Sequence, residues 1–309
     1  MIIIIIIIII NKRMDKLSKQ ELLEICTKLN ITKCKSKTKA SLIDIIKNYK
    51  LKPLIKWSGG KSDEINIIMK FIPENYRIYI EPFVGGGSVY FYLSPQNAII
   101  NDIHGELITF YKCIADGYRN DIYDFMKKNV NSEDIYYSIR DNMDILNALD
   151  CAKRFYYLRK TCFRGMLRYN KDGKFNIPYG RYKTINYNDL LNEYYEILLK
   201  RTLILNTDYI NIFEMYNDDN NFMFLDPPYD CEFIDYGYCK FDREEHKKLA
   251  ELFKATKIKC LMIIGKTEFI TELYNGYIIG EYEKKYRFKL YNGRIGDEIN
   301  NKHLIIKNY

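Results

Sequence analysis

Residues 222–230 read FMFLDPPYD: four apolar residues, then an acid, two prolines, a tyrosine and a second acid. Adjacent prolines supply no backbone N–H and cannot continue a central strand, so residues 222–225 are expected to form a buried strand that stops at Asp226. Asp226 and Tyr229 then stand at its carboxyl end, where open α/β sheets hold their ligands. From Pro53 onward, short apolar runs alternate with helical patterns, which predicts an α/β fold: a mainly parallel sheet with helices on both faces. Strands are expected near 79–81, 98–101, 203–206, 222–225 and 260–264, with a closing antiparallel pair within 286–306. Between Tyr118 and Arg201 no strand rhythm is visible, so 118–201 reads as a mostly helical insertion between sheet-domain parts 53–117 and 202–309.

The chain has 309 residues, 48 Lys and Arg against 40 Asp and Glu, a formal charge of +8 and a pI near 8.8. That balance suits an anionic partner such as nucleic acid. Eight cysteines without paired CxxC spacing point to free thiols in a reducing, intracellular compartment and to no zinc. The opening MIIIIIIIII is about half the ~20 residues that a spanning helix needs, and Lys12 and Arg13 follow it instead of preceding it. Residues 1–13 are therefore read as low-complexity sequence and no membrane partner is expected. Residues 14–50 form a small helical unit with Ser18 as N-cap and Glu21 three residues on. Its KCKSKTK turn, 33–39, carries four lysines and no acid, and reads either as a solvated linker or as a contact surface.

In IYIEPFVGGGSVYFYL, 78–93, a strand runs through Glu81 into Gly85, Gly86 and Gly87 and then into a helix. Glycines at such a turn let backbone approach a ligand closely, although a purely structural turn uses them too. The dinucleotide spacing G-x-G-x-x-G is not met, because Tyr90 stands at the third glycine, and no Walker lysine follows. The second strand ends in IIND. Asp102 at its tip either accepts ribose hydroxyls or caps the next helix.

Four pieces stand in a definite order: LIKWSGGK at 54–61, EPFVGGGS at 81–88, NDIH at 101–104 and LDPPYD at 225–230. With FRGMLRYNKDGKFNIPYGRYK at 163–183, this order resembles the Dam-like, D12-class, α-group DNA adenine-N6 methyltransferases. The resemblance covers nearly the whole chain from Pro53. It implies a Rossmann-like methyltransferase fold, S-adenosylmethionine as methyl donor and duplex DNA as substrate, with no metal. Carried over residue by residue, it makes Asp226, Pro227, Pro228 and Tyr229 catalytic. The cofactor contacts it implies are Trp57, Lys61, Phe83, Gly85, Gly87, Asp102, Ile103 and Asp226, with Asp208 and Tyr209 at the adenine ring of the cofactor. Likewise LSKQELLEICTKLNI and KSKTKASLIDII resemble SAP-type DNA-binding modules.

The residue chemistry agrees with that family. Methyl transfer to an exocyclic amine needs its lone pair turned out of conjugation, and a carboxylate beside a proline carbonyl can hold both amino hydrogens. Tyr229 offers a stacking face for a base that must leave the duplex to be reached. From Cys151 to Lys183 ten Lys or Arg stand against one acid, Asp172, interleaved with eight Phe or Tyr, a mixture suited to a nucleic acid. Arg164, Arg168, Asn170, Lys171, Lys174 and Arg181 are the expected DNA contacts. The RYN-x-x-G-x-FN-x-P segment is most like family members acting on GATC. Two departures, IIGKTE after the fifth strand and His303 near the end, are expected to lie outside the catalytic core. The competing readings are an RNA adenine or protein amide methyltransferase, which would show Asn in place of Asp226, and an inactive DNA-binding relative. A monomer acting at DNA inside the cell is expected.

Overall fold

The computed structural model describes residues 14–230, 241–286 and 299–309. The isoleucine-rich start and the middle of the expected closing pair lie outside these residues. Among the described residues the strands are β1 (Tyr79–Glu81), β2 (Ala98–Asn101), β3 (Leu203–Leu205), β4 (Phe222–Leu225), β5 (Lys259–Gly265), β6 (Ile278–Tyr286) and β7 (Ile299–Lys307). The first six helices are α1 (Lys19–Lys28), α2 (Lys39–Lys47), α3 (Ile65–Ile68), α4 (Ser88–Leu93), α5 (Gly105–Ala115) and α6 (Arg119–Lys128). The others are α7 (Glu133–Asn142), α8 (Ala148–Thr161), α9 (Glu193–Lys200), α10 (Tyr209–Met215), α11 (Arg243–Ala255) and α12 (Glu268–Leu273).

The strands form one mixed sheet in the order β3-β2-β1-β4-β5-β7-β6. β1 is parallel to β2 and β4, and β4 to β5, whereas β7 runs antiparallel to both β5 and β6. This is the mainly parallel α/β sheet that the strand and helix rhythm predicts, in the Rossmann-like form that the family resemblance implies. The expected strands at 79–81, 98–101, 203–206, 222–225 and 260–264 are all present within a residue or so. The closing pair differs: its first strand begins at Ile278, ahead of the stretch expected for it. The reason is that β6 is the sheet edge and carries Glu281, Glu283 and Lys284. Charges that protect an edge strand from further pairing also remove the apolar signature of a strand.

The chain divides into two compact units: residues 66–84, 97–103 and 205–309, and residues 1–65, 85–96 and 104–204. In the first, alternate residues Met223 and Leu225, Cys260, Met262 and Ile264, and Leu304 and Ile306 share a buried cluster with α10, α11 and α12. α11 shows why: His246, Leu249, Ala250 and Phe253 fall at the three- and four-residue spacing of one helical stripe, and Asp242 caps its first turn.

In the second unit α5 packs on α8 and α9, with Phe110 stacked on Tyr156 at 5.1 Å. Residues 119–200 hold four α-helices and two short 3-10 turns, with only isolated β-bridges. The N-terminal helices α1 and α2 close over Leu22, Ile25, Cys26, Leu42 and Ile46. The capping box of Ser18 and Glu21 is formed as the sequence leads one to expect. This helical pair is fastened to its own unit: Asn30 donates to the Asn188 carbonyl (2.8 Å), Asn192 to the Tyr49 hydroxyl (2.8 Å), and Tyr194 packs on the cluster. Six described cysteines are free thiols.

Candidate active site and nucleic-acid segment

Strand order reverses between β1 and β4, whose carboxyl ends therefore border the crevice where such sheets bind ligands. All four residues of β4 are buried, and the two prolines end it. Asp226 follows half-buried, then Pro227 buried, then Pro228 and Tyr229 half-buried. The far end of the turn is clamped. Asp230 takes a two-pronged bond from Arg243 (Nε to Oδ1 3.0 Å, Nη2 to Oδ2 3.2 Å) and a third from the Thr267 hydroxyl (3.0 Å). Burial alone would raise the Asp230 pKa, but these donors hold it below the ordinary value.

The Tyr229 ring lies on the end of β5, so close that a Cβ on Gly265 would stand 3.1 Å from its Cδ2. The His303 ring meets it at 5.3 Å and 86°. His303 is paired in register with Gly265 on one side and Tyr282 on the other, and is 1% exposed. The two departures from the family pattern thus touch the tyrosine of DPPY.

On the other side of the crevice Asn101 is 1% exposed and fully engaged. Its amide nitrogen donates to the carbonyls of Pro82 (3.0 Å) and Thr207 (3.0 Å), and its side-chain oxygen accepts from the Thr207 N–H (2.9 Å). One side chain therefore ties the loop after β1 to the segment after β3, and Val84 N–H bonds the Asn101 carbonyl. In sequence the strand-end acid Asp102 draws attention ahead of Asn101, whose one signal is an amide in an otherwise apolar strand. Asp102 is 8% exposed and Ile103 51% exposed beside it. Asp102 is not the helix cap: that role falls to His104. Phe83 packs on Tyr209 (5.2 Å) and Phe241 (5.8 Å), Tyr209 bonds Glu245, and Asp208 caps α10 through the Ile210 N–H.

In the other unit Gly85 and Gly87 have left-handed φ of +46° and +68°. A Cβ on Gly85 would reach 2.6 Å from Trp57 Cδ1, and the Tyr111 hydroxyl holds the Gly85 carbonyl at 2.8 Å. No other residue fits there without displacing Trp57. The Arg159 guanidinium lies 5.2 Å from the Trp57 ring, and Lys61, 1% exposed, folds back onto the Gly59 carbonyl at 2.8 Å.

His104 anchors a second network. Burial, with the Arg159 charge adding to it, holds its pKa down to about 3, so the ring is neutral. Nδ1 accepts the Leu107 N–H (3.2 Å), which assigns the proton to Nε2. Nε2 then donates to Tyr169 OH (2.7 Å), and Tyr169 donates to Glu106 (2.5 Å), whose other oxygen pairs with Arg154 (3.1 Å).

Tyr169 belongs to a tight hairpin. Asn170 N–H bonds the Lys174 carbonyl, the Asn170 side-chain oxygen accepts from Asp172 and Lys174 N–H groups, and Gly173 has φ +71°. Arg168 is tethered to Asn176 at 2.8 Å, Arg164 lies over the Phe163 ring, and Arg181 reaches Glu133 at 3.4 Å. Arg164, Arg168, Lys171, Lys174 and Arg181 are all exposed. The aromatic half of the basic stretch is placed differently. Phe155, Tyr156 and Tyr157 are buried, because α8 turns them into the unit's core, and Phe175 is buried in the hairpin, its ring 5.9 Å from that of Tyr169. Among the described residues no group of His, Cys, Asp and Glu could hold a metal ion, and no helix is long and apolar enough to cross a membrane.

Residues 57–289 match the family described as D12 class N6 adenine-specific DNA methyltransferase. The chain is 56% identical over 261 residues to the Type II methyltransferase M.CviBI of Paramecium bursaria Chlorella virus NC1A, covering 84% of this chain and 100% of that protein. It is 33% identical to the Type II methyltransferase M.MjaIII of Methanocaldococcus jannaschii, covering 74% of this chain and 90% of that protein. Against the DNA adenine methylase of Haemophilus influenzae it is 31% identical, covering 74% and 84%.

Proposed function

Because the chain belongs to the D12 class of N6 adenine-specific DNA methyltransferases, we propose that it methylates a flipped adenine within a short GATC-like duplex site, using S-adenosylmethionine. The observation that carries this reading is the Asp226-Pro227-Pro228-Tyr229 turn at the carboxyl end of β4, beside the point where strand order reverses. Asp226 and the Pro227 carbonyl accept the two amino hydrogens and turn the nitrogen lone pair out of the ring. Tyr229 stacks on the base. Aspartate rather than asparagine at 226 favours DNA adenine over the RNA or protein amide alternatives.

The residues fit the methyl donor in their chemistry. Asp102 offers a carboxylate for ribose hydroxyls, Ile103 an exposed apolar face, and Gly85 and Gly87 a backbone without side chains. Trp57, Lys61, Phe83, Asp208, Tyr209 and Asp226 complete the proposed set, with Tyr209 acting through its ring since the Asp208 carboxylate caps α10. When bound, S-adenosylmethionine supplies an electrophilic methyl carbon.

Arg164, Arg168, Lys171, Lys174 and Arg181 are assigned to DNA, together with Asn170 through its amide nitrogen. Residues 53–117 and 202–309 form the catalytic domain and 118–201 the target-recognition insertion. Residues 14–50 are a SAP-like module whose exposed Lys33, Lys35, Lys37 and Lys39 face solvent and raise the local concentration of enzyme on DNA. The enzyme acts as a monomer on DNA inside the cell. The test is labelled methyl transfer into unmethylated duplex, followed by base-resolved mapping of modified adenines. Methylation at one short motif is expected, and cofactor binding without transfer to any DNA would refute the assignment.

A further inference from the structure

We infer that His303 is a positioning residue for Tyr229, setting the plane of the ring on which the target base stacks; this rests on reading Tyr229 as the stacking residue. Two prolines stiffen the backbone ahead of Tyr229, and the Asp230 clamp to Arg243 and Thr267 fixes the backbone behind it. Neither device fixes the side-chain torsions of the tyrosine. What remains to hold the ring is its own contacts. Among these are the bare backbone of Gly265, with 3.1 Å from a built Cβ to Cδ2, and the perpendicular His303 ring at 5.3 Å, while the ring also packs on the buried cluster of its unit.

His303 is well suited to hold a neighbour still. It is 1% exposed, and its backbone is pinned in the middle of a three-strand ladder, opposite Gly265 on β5 and Tyr282 on β6. Tyr282 closes its far side at 5.5 Å and 68°. Tyr229, His303 and Tyr282 thus form a row of alternately perpendicular rings, the arrangement that aromatic quadrupoles favour. A tilt of Tyr229 would shift a stacked adenine, and with it the amine that Asp226 must hold. Misplacement of this kind is felt in the rate of the chemical step more than in overall DNA affinity.

The experiment is a double-mutant cycle on the full chain with His303→Ala and Tyr229→Ala, read by single-turnover methyl transfer and by fluorescence of 2-aminopurine at the target adenine. His303→Ala is expected to slow transfer about tenfold and to alter the 2-aminopurine signal, with duplex Kd changed less than about twofold. His303→Phe, which keeps a ring, should recover most of the rate. Gly265→Ala approaches the same ring from the other side, and should slow transfer about threefold with the same signature, even if His303→Ala proves hard to fold.

In a Tyr229→Ala background the His303 change should have no further effect. A His303→Ala enzyme with normal rate and fluorescence, beside an impaired Tyr229→Ala, would overturn the positioning role and leave the stacking role standing. Equal losses with and without Tyr229 would overturn it as well. If Tyr229→Ala itself changed neither readout, the stacking assignment and this inference would fall together.

Discussion

The turn at 225–230 and the segment at 163–183 are held in opposite ways. The first is the end of a central strand, buried on all four residues, closed by prolines and clamped through Asp230 to Arg243 and Thr267. Its side chains inherit their positions from the sheet. The second is a run of turns in which Asn170 holds the backbone N–H groups of a hairpin while Asn176 and Glu133 each tether one exposed arginine, with Arg164 and Arg181 in left-handed conformations. A chemical step needs a few groups fixed to fractions of an ångström, whereas DNA contact needs charge along a surface that can adjust. Changes in the two regions should therefore separate rate from binding.

The most severe test of that separation is Asp226→Ala. Single-turnover transfer should fall by about a thousandfold or more, while duplex Kd moves less than about twofold. Comparable transfer by the variant would end the acceptor role given to this carboxylate. Next is Asn101→Ala, which strands the Pro82 and Thr207 carbonyls and the Thr207 N–H. Leaving such buried groups unsatisfied costs about 1–3 kcal/mol each at most, so a clear drop in the urea midpoint is expected, with weaker binding of S-adenosylmethionine by calorimetry. An unchanged midpoint would show that water replaces the staple.

Acid should act on both regions through buried histidines. His104 is held to about 3 and His246 to about 4, each chiefly by burial. Below the ordinary value of 6.5 the unfolded chain binds protons that the folded chain refuses. Stability is therefore present above pH 6.5 and declines as pH falls through the window between 6.5 and those values, by up to about 1.4 kcal/mol per pH unit for each group. The urea midpoint should be lower at pH 5 than at pH 7.5, and His104→Gln should narrow the gap; identical midpoints would contradict the neutral ring. Smallest is the effect of Lys171→Ala with Lys174→Ala. If both meet phosphates, the slope of log K against log salt should flatten by about two in total, with the rate of transfer at saturating DNA untouched.

What the sequence revealed follows the same division. The strand pattern and DPPY were legible because their cause is local: apolar runs, prolines and glycines act on their own backbone. Gly85 and Gly87 carry the positive φ that a glycine loop suggests. What escaped notice depends on residues far apart in the chain. Asn101 gains meaning only when Pro82 and Thr207 arrive beside it. His303 and Gly265 read as peripheral because nothing near them in sequence points to Tyr229. The aromatics of α8 share a composition with the segment at 163–183, yet the helix turns them into the core. Edge strand β6 begins ahead of the expected stretch because its charges hide its pairing.

The left-handed backbone at Arg164 (φ 56°) and Arg181 (φ 52°) bears on how this enzyme could be improved in the laboratory. An L-residue there costs about 1–2 kcal/mol, and glycine would relieve it at a comparable entropic cost to the folded state. Selection for heat tolerance alone is then nearly indifferent between arginine and glycine at both positions. If both arginines meet DNA as proposed, selection that includes methylation of DNA is not, and a thermostabilised lineage should be screened on its substrate at every round.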